Sequence, residues 1–304
     1  MELPTLNKVV LDTLDFFAKN PPPTIDLNKF NMPIVVGSGN AANTGRIMFS
    51  GRAAIFADES NFKATIESFK PVIEKGLITQ VIVISASGEK DSVWEVELAK
   101  ELKLHTTLLT CKPESTAAKL ADDVVVFRSI AEPYTYNTST YLGMILATTN
   151  EKPEEISVMV ETLQFPKDFD QYQSYAFVLP DADINIAPMI IIKGEELFGP
   201  HVPVRAYTHG HARHAKFVHP WEKELIISFG SKNEFFGDPN HRWDIMLPET
   251  ASFGATVVLS YFICGKIQSS HTPYYFNDIE NFCNDYGPKA YGKQQKFDVI
   301  VPAN

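Results

Sequence analysis

Residues 80–104 read QVIVISASGEKDSVWEVELAKELKL. Gln80 to Ile84 is an apolar run rich in β-branched residues, which favours a strand. Ser85 to Gly88 is a turn of small residues, and SVWEVELAKELKL continues as a helix. Strand, small-residue turn and helix make the opening of a βαβ unit, and the neighbouring sequence repeats the pattern. Upstream lie MPIVVGSGN (32–40), a strand ending on two glycines, and RAAIFA (52–57), followed by a helical segment to Gly76. Downstream come TTLLT (106–110), a short helix and DVVVF (123–127). Short apolar strands alternating with helices imply a parallel sheet buried on both faces, so residues 28–148 read as a doubly wound α/β domain.

An amphipathic helix over 5–19 and a PPPT linker precede this domain. A polar, proline-bearing break, TTNEKPEEI (148–156), follows it. Beyond the break SYAFVLP, VPVRAYT, ELIISFG and WDIMLP form a second strand series of similar layout. IAPMIIIKGEEL (186–197) carries three consecutive isoleucines and a glycine, which a strand would accept. Pro188 in a first turn and the Gly199–Pro200 stop make 186–198 a helix. ATVVLSYFICGKI (255–267) reads as a buried helix, and an aromatic tail over 271–295 follows. The expected organisation is two tandem domains, 1–150 and 151–304.

Composition removes several function classes. A formal charge of −10 without any long basic run argues against a nucleic-acid-binding face. Cys111, Cys264 and Cys283 are three widely spaced cysteines with no CxxC pair, which excludes a disulfide scaffold and suits a reducing cytoplasm. The amino-terminal stretch lacks a basic n-region, and the apolar run ATVVLSYFICG is about half the ~20 residues of a membrane span.

The turn SASGEKDS offers Ser85, Ser87 and Gly88 at a helix start, where backbone amides favour an anion such as phosphate. A serine-rich helix cap accounts for the same residues. GSGNAAN (37–43), ending the preceding strand, supplies a second small-residue turn at the same edge of the sheet. As a dinucleotide fingerprint GSGNAANTG is incomplete. Ala42 stands at the third glycine position, the acids Asp58 and Glu59 lie about twenty residues on, and the second serine turn has no use in a nicotinamide enzyme. No cofactor is expected.

The VIVIS strand, the S-x-S-G turn, the helix beyond it and EPYTYNTSTYLGMILA (132–147) resemble the sugar isomerase (SIS) domain family, and the second half resembles another copy. The resemblance covers roughly residues 28–270 and implies two SIS-like doubly wound domains with parallel sheets flanked by helices. It places Ser85, Ser87 and Gly88 on the oxygens of a sugar phosphate, with Lys90 where the family has threonine. Gly39, Asn40 and Ala41 fall on the earlier turn, with Ala41 where serine is usual. Glu132, Asn137 and Thr138 fall beside the sugar. In the second half it aligns Lys193 and Glu196 with a lysine–glutamate pair on one helix and His214 with the family histidine, while His211 stands where a glutamate is usual.

The resemblance implies aldose–ketose isomerisation of a hexose or amino-sugar 6-phosphate in a cytoplasmic homodimer. That reaction needs a carboxylate to carry a proton between adjacent carbons, an imidazole for ring opening, and an ammonium to polarise oxygen or form a Schiff base. Barely thirty residues precede the first strand, so amide transfer from glutamine within this chain is not expected. A phosphosugar deaminase or deglycase and a non-catalytic sugar-phosphate sensor are the rival readings.

THGHARHAKFVH (208–219) concentrates four histidines. On a strand His209 and His211 would share a face, and His214 could fold back to complete a metal site. Arg213 and Lys216 oppose a dication there, and no metal is expected.

Overall fold

The structure, a computed structural model, describes residues 2–215, 219–284 and 297–304. In chain order the elements are α1 (Leu6–Lys19), β1 (Ile34–Gly37), α2 (Asn40–Met48), β2 (Ile55–Asp58), α3 (Phe62–Glu74), β3 (Gln80–Ile84), α4 (Asp91–Glu101), β4 (His105–Thr110), α5 (Thr116–Leu120) and β5 (Asp123–Val126). They continue as β6 (Glu132–Pro133), α6 (Thr138–Leu146), α7 (Pro153–Glu161), β7 (Ser174–Leu179), α8 (Ala187–Phe198) and β8 (Val204–Thr208). The last are α9 (His209–Ala215), β9 (Glu224–Phe229), β10 (Arg242–Ile245), α10 (Phe253–Ser270), α11 (Tyr274–Asn284) and β11 (Ile300–Val301).

The chain forms two compact units. The β1 unit holds Asn20–Ala131, Ser139–Asn150 and Pro302–Asn304. Its five strands run parallel in the order β2-β1-β3-β4-β5. Order reverses between β1 and β3, so the turns leaving those two strands flank a topological switch point, the usual ligand position in such sheets. One face is sealed by Ile34, Val36, Val81, Val83 and Leu108 against Phe62, Ile66, Val96 and Ala99. The expectation of burial on both faces fails at β5. It is an edge strand, and Val124 and Val126 are exposed.

The β7 unit holds the stretch up to Lys19 together with Glu132–Thr138 and Glu151–Val301. Its parallel order β10-β9-β7-β8 repeats the first four positions of the other sheet. Strands β7 and β9 are buried throughout, as their mainly apolar sequences favour, with Ser174, Glu224 and Ser228 as buried polar exceptions. Helix α10 is buried on nearly every side, which explains its apolar residues all round the axis. Helix α1 packs against α10 and α7 through Leu6, Val9, Val10, Leu14 and Phe17. At the closest approach a Cβ on Gly265 would lie 1.9 Å from the backbone nitrogen of Asn7, so only glycine fits. The N-terminal amides of α10 are capped from far upstream. Glu151 accepts from Ser252 N at 2.7 Å, Gly254 N at 2.7 Å and Ala255 N at 2.9 Å.

The helix over 186–198 forms as α8, one residue shorter at its start. Two expectations need correction. The break at 148–156 is in part helical, because Pro153 at the helix start and Glu154 and Glu155 in the first turn open α7. The aromatic tail also forms α11 over 274–284, burying Tyr275, Ile279 and Cys283, while its residues 285–295 lie outside the described ones. Strands β6 and β11, not anticipated, pair antiparallel. Among the described residues no helix is long and apolar enough to cross a membrane.

Candidate functional site

In the β1 unit, the turns after β1 and β3 converge at the switch point. Gly39 takes φ +55° immediately before α2. Asn40 opens that helix, and its Oδ1 is buried with no hydrogen-bond partner among the described residues. The second turn is Ser85-Ala86-Ser87-Gly88-Glu89-Lys90. Ser85 Oγ accepts from Gly88 N at 3.1 Å, and Ser87 Oγ accepts from Glu89 N at 3.3 Å. Gly88 has φ +63°, and a Cβ there would lie 2.0 Å from Ser115 Oγ, so backbone sign and space both demand glycine. Lys90 takes φ +60° with a side chain, and burial holds its ammonium below the ordinary lysine range, with Asp91 partly offsetting.

The strand β4 edge braces this turn. Ser85 N donates to Leu109 O, Cys111 N to Ala86 O and Ala117 N to Gly88 O, each at 3.0 Å. Thr110 Oγ1 donates to Ala86 O at 3.1 Å, and Thr116 N donates to Glu89 Oε1 at 2.9 Å. Helix α4 begins at Asp91, after the serines. Its carboxylate accepts from Ser38 Oγ at 3.2 Å and Trp94 Nε1 at 3.1 Å, linking the two turns. Ser38 and Asp91 were not singled out from the sequence, although an acid followed by Ser92 at a helix start was the available signal. One turn further along α4, Glu95 is buried. Burial first, then Asp91, Glu59 and Asp58, push its carboxyl up to about 8.

In the β7 unit the lysine–glutamate pair forms. Lys193 is 1% exposed, and its Nζ donates to Glu196 Oε2 at 2.7 Å, to Tyr136 O at 3.0 Å and to Thr135 O. Three donors meet three acceptors, and the ring of Tyr261 lies 5.3 Å from the ammonium. Glu196 keeps 29% of its side chain exposed, so one carboxylate oxygen is pinned while the group still faces solvent. Glu195, the adjacent acid, is exposed on another side of α8. A lysine with every proton committed holds a charge in place, and it cannot attack a carbonyl without first losing those bonds.

Glu132 is buried, and its Oε2 accepts from Thr138 N at 2.8 Å, which makes it the cap of α6. Asn137 takes φ +48°, and its Nδ2 donates to Tyr134 O at 3.3 Å. Thr138 is buried with Oγ1 unpartnered among the described residues. These three are thus grouped around the loop whose carbonyls hold Lys193.

The histidine segment departs from the strand geometry considered for a metal. Strand β8 ends at Thr208 and α9 begins at His209, because Asp181 accepts from Gly210 N at 2.7 Å and holds the helix start. Spacing two on a helix turns side chains about 200° apart, so His209 and His211 do not share a face. His209 Nε2 meets Ser231 Oγ at 3.0 Å, while His211 and His214 are exposed. Among the described residues no three His, Cys, Asp or Glu gather in a way that could hold a metal ion. Lys216 lies outside the described residues.

Neither a scan of protein-family models nor a search of curated proteins matches the chain. Solved structures do match in fold. The C-terminal domain of glucosamine-fructose-6-phosphate aminotransferase from Francisella tularensis aligns at TM-score 0.59 and 12% identity, covering 87% of this chain and 93% of that one. Glucosamine-6-phosphate deaminase from Thermotoga maritima aligns at 0.59 and 15%, covering 87% and 93%. Tagatose-6-phosphate ketose/aldose isomerase from Escherichia coli aligns at 0.59 and 13%, covering 88% and 91%. At such identities the likeness establishes the fold, an α/β architecture of parallel sheets flanked by helices.

Proposed function

We propose that the chain is a cytoplasmic, homodimeric aldose–ketose isomerase of a hexose or amino-sugar 6-phosphate, built from two SIS-like copies. The observation that carries the reading is the Lys193–Glu196 pair. A buried ammonium fixes one carboxylate oxygen at 2.7 Å and leaves the carboxyl group open to solvent, which is how a general base is positioned. The shared 2-1-3-4 strand order of the two sheets supports the duplication. The aligned structures, an aminotransferase domain, a deaminase and an isomerase, are each named for a sugar phosphate or its amine.

In this reading Ser85, Ser87 and Gly88 present hydroxyls and amides to phosphate, with Lys90 adding charge. Asn40 Oδ1, an acceptor without a donor among the described residues, accepts from a sugar hydroxyl. Glu196 removes the proton at C2 of the open-chain aldose. The C1 carbonyl oxygen gains a proton as the enediol forms, the C2 hydroxyl then loses its proton, and Glu196 returns its own to C1. Lys193 keeps Glu196 in register and offsets its charge. His214, exposed on α9, serves ring opening at a subunit boundary. Glu132, Asn137 and Thr138 shape the loop that holds Lys193.

Thermal-shift screening of hexose 6-phosphates and their 2-amino forms identifies the ligand, and proton exchange at C2 in deuterated water tests the chemistry. Glu196→Gln should lower exchange by a factor on the order of 10² while binding survives, and Glu195→Gln should exchange normally. Binding with no exchange by the wild type replaces the isomerase with the sensor reading. Release of ammonia or amine replaces it with the deaminase or deglycase.

A further inference from the structure

Within the β1 unit the side chain of Asn304 is fully engaged. Its Nδ2 donates to Phe127 O at 2.8 Å and to Cys111 O, and its Oδ1 accepts from Ser129 N at 2.6 Å and Ser129 Oγ at 2.9 Å. Both donors and both acceptor sites of the carboxamide are used, an arrangement that a carboxylate or an apolar side chain cannot reproduce. The two carbonyls belong to residues that immediately follow β4 and β5, paired neighbours in the sheet. Asn304 therefore ties the outgoing ends of adjacent strands together.

One of those ends is the brace of the phosphate turn. Cys111 N donates to Ala86 O at 3.0 Å while Cys111 O accepts from Asn304, so a single residue is held by the turn on one side and by Asn304 on the other. The neighbouring Thr110 Oγ1 also reaches Ala86 O, and Lys112 N donates back to Thr110 Oγ1 at 3.1 Å. Cys111 Sγ approaches Thr140 Oγ1 at 3.6 Å, fixing the same residue from α6.

We infer that Asn304 is a positioning residue for the Ser85–Gly88 turn, setting through Cys111 the geometry in which that turn receives the phosphate. The inference rests on the phosphosugar reading of the turn. It predicts a local effect, because the bonds of Asn304 reach the turn through Cys111 and not through Ser85 or Ser87.

The test is calorimetric titration of glucose 6-phosphate, fructose 6-phosphate, glucosamine 6-phosphate and inorganic phosphate into the full-length protein and its variants, with amide hydrogen exchange on the ligand-free forms. Asn304→Ala removes all four bonds, and Asn304→Asp retains the Ser129 bonds but turns a carboxylate oxygen toward the two carbonyls. Both variants should weaken the ligand that the wild type binds by about tenfold, the size expected from losing one or two hydrogen bonds. Both should also speed exchange at 85–90 while amides 81–84 stay protected. Arg128→Ala, which removes the 2.9 Å bond to Asn20 near the same strand end, controls for general loosening and should leave affinity unchanged. Affinity and 85–90 exchange equal to wild type in both Asn304 variants overturn the inference and leave the functional reading standing. Wild-type protein that binds none of the four probes overturns the reading, and the inference with it.

Discussion

Replacing Glu95 with glutamine should stabilise the protein, and by an amount that depends on pH. The side chain is 1% exposed, its Oε1 lacks a hydrogen-bond partner among the described residues, and it shares its surroundings with Asp91, Asp58 and Glu59. Its carboxyl is pushed up to about 8 from an ordinary 4.5, so the folded protein holds a proton that the unfolded chain releases in that interval. The contribution of this group is fully present below about pH 4.5 and is lost as pH rises through about 8. Each pH unit in the window corresponds to about 1.4 kcal/mol, which makes the loss at pH 7 roughly 3 kcal/mol as a ceiling.

Glutamine matches the shape of the protonated acid and has no charge to desolvate, but its amide brings two donors, and leaving one unpaired costs about 1 kcal/mol or more. The expected net gain is about 1 to 2 kcal/mol at pH 7, smaller or absent at pH 5 and larger at pH 8.5. Urea unfolding of both proteins at the three values measures it. A gain independent of pH, or a variant less stable than wild type at pH 8.5, would refute the reasoning.

Two further substitutions probe the architecture. Gly88→Ala places a Cβ 2.0 Å from Ser115 Oγ at a backbone φ of +63°, so it should lower stability by about 1 to 3 kcal/mol and abolish the phosphosugar binding proposed for this turn. Unfolding midpoints and titration calorimetry check the two effects. Glu151→Ala strips three amides of α10 of their acceptor and should cost about 1 to 2 kcal/mol, with Glu151→Gln recovering part of it in the same denaturation assay.

The parts of the fold legible in the sequence are those whose signal is local. Strands β1, β3, β7 and β9 announce themselves because burial on both faces writes a mainly apolar run, ended by glycine, serine or proline where the chain turns, and β4 is marked by its β-branched threonines around two leucines. Helix α8 was arguable because Ile190 to Ile192 suit a strand. Pro188 and the stop at Gly199 favour the helix, and Gly194 lying against Val204 shows the packing that rewards it. What stayed hidden depends on partners distant in sequence. Asp181 starts α9 from 29 residues upstream, so the histidines could not be placed on a helix by spacing alone. Glu132 could be named as an important acid, but that it caps Thr138 needs the loop's path. Asn304 carries no local pattern at all, since its meaning lies in two strand ends that precede it by more than 170 residues.

The same separation acts on α1 while the chain is being made. Its apolar stripe, Leu6, Val9, Val10, Leu14 and Phe17, leaves the ribosome well before the helices that cover it, α7 and α10. Helix α10 is complete only about 250 residues later, which at 5 to 20 residues per second is on the order of 10 to 50 seconds. For the first part of that interval the stripe has neither covering helix, for the rest it has α7 alone, and Gly265, the residue that lets α1 and α10 meet backbone to backbone, is among the last pieces of the partner to arrive.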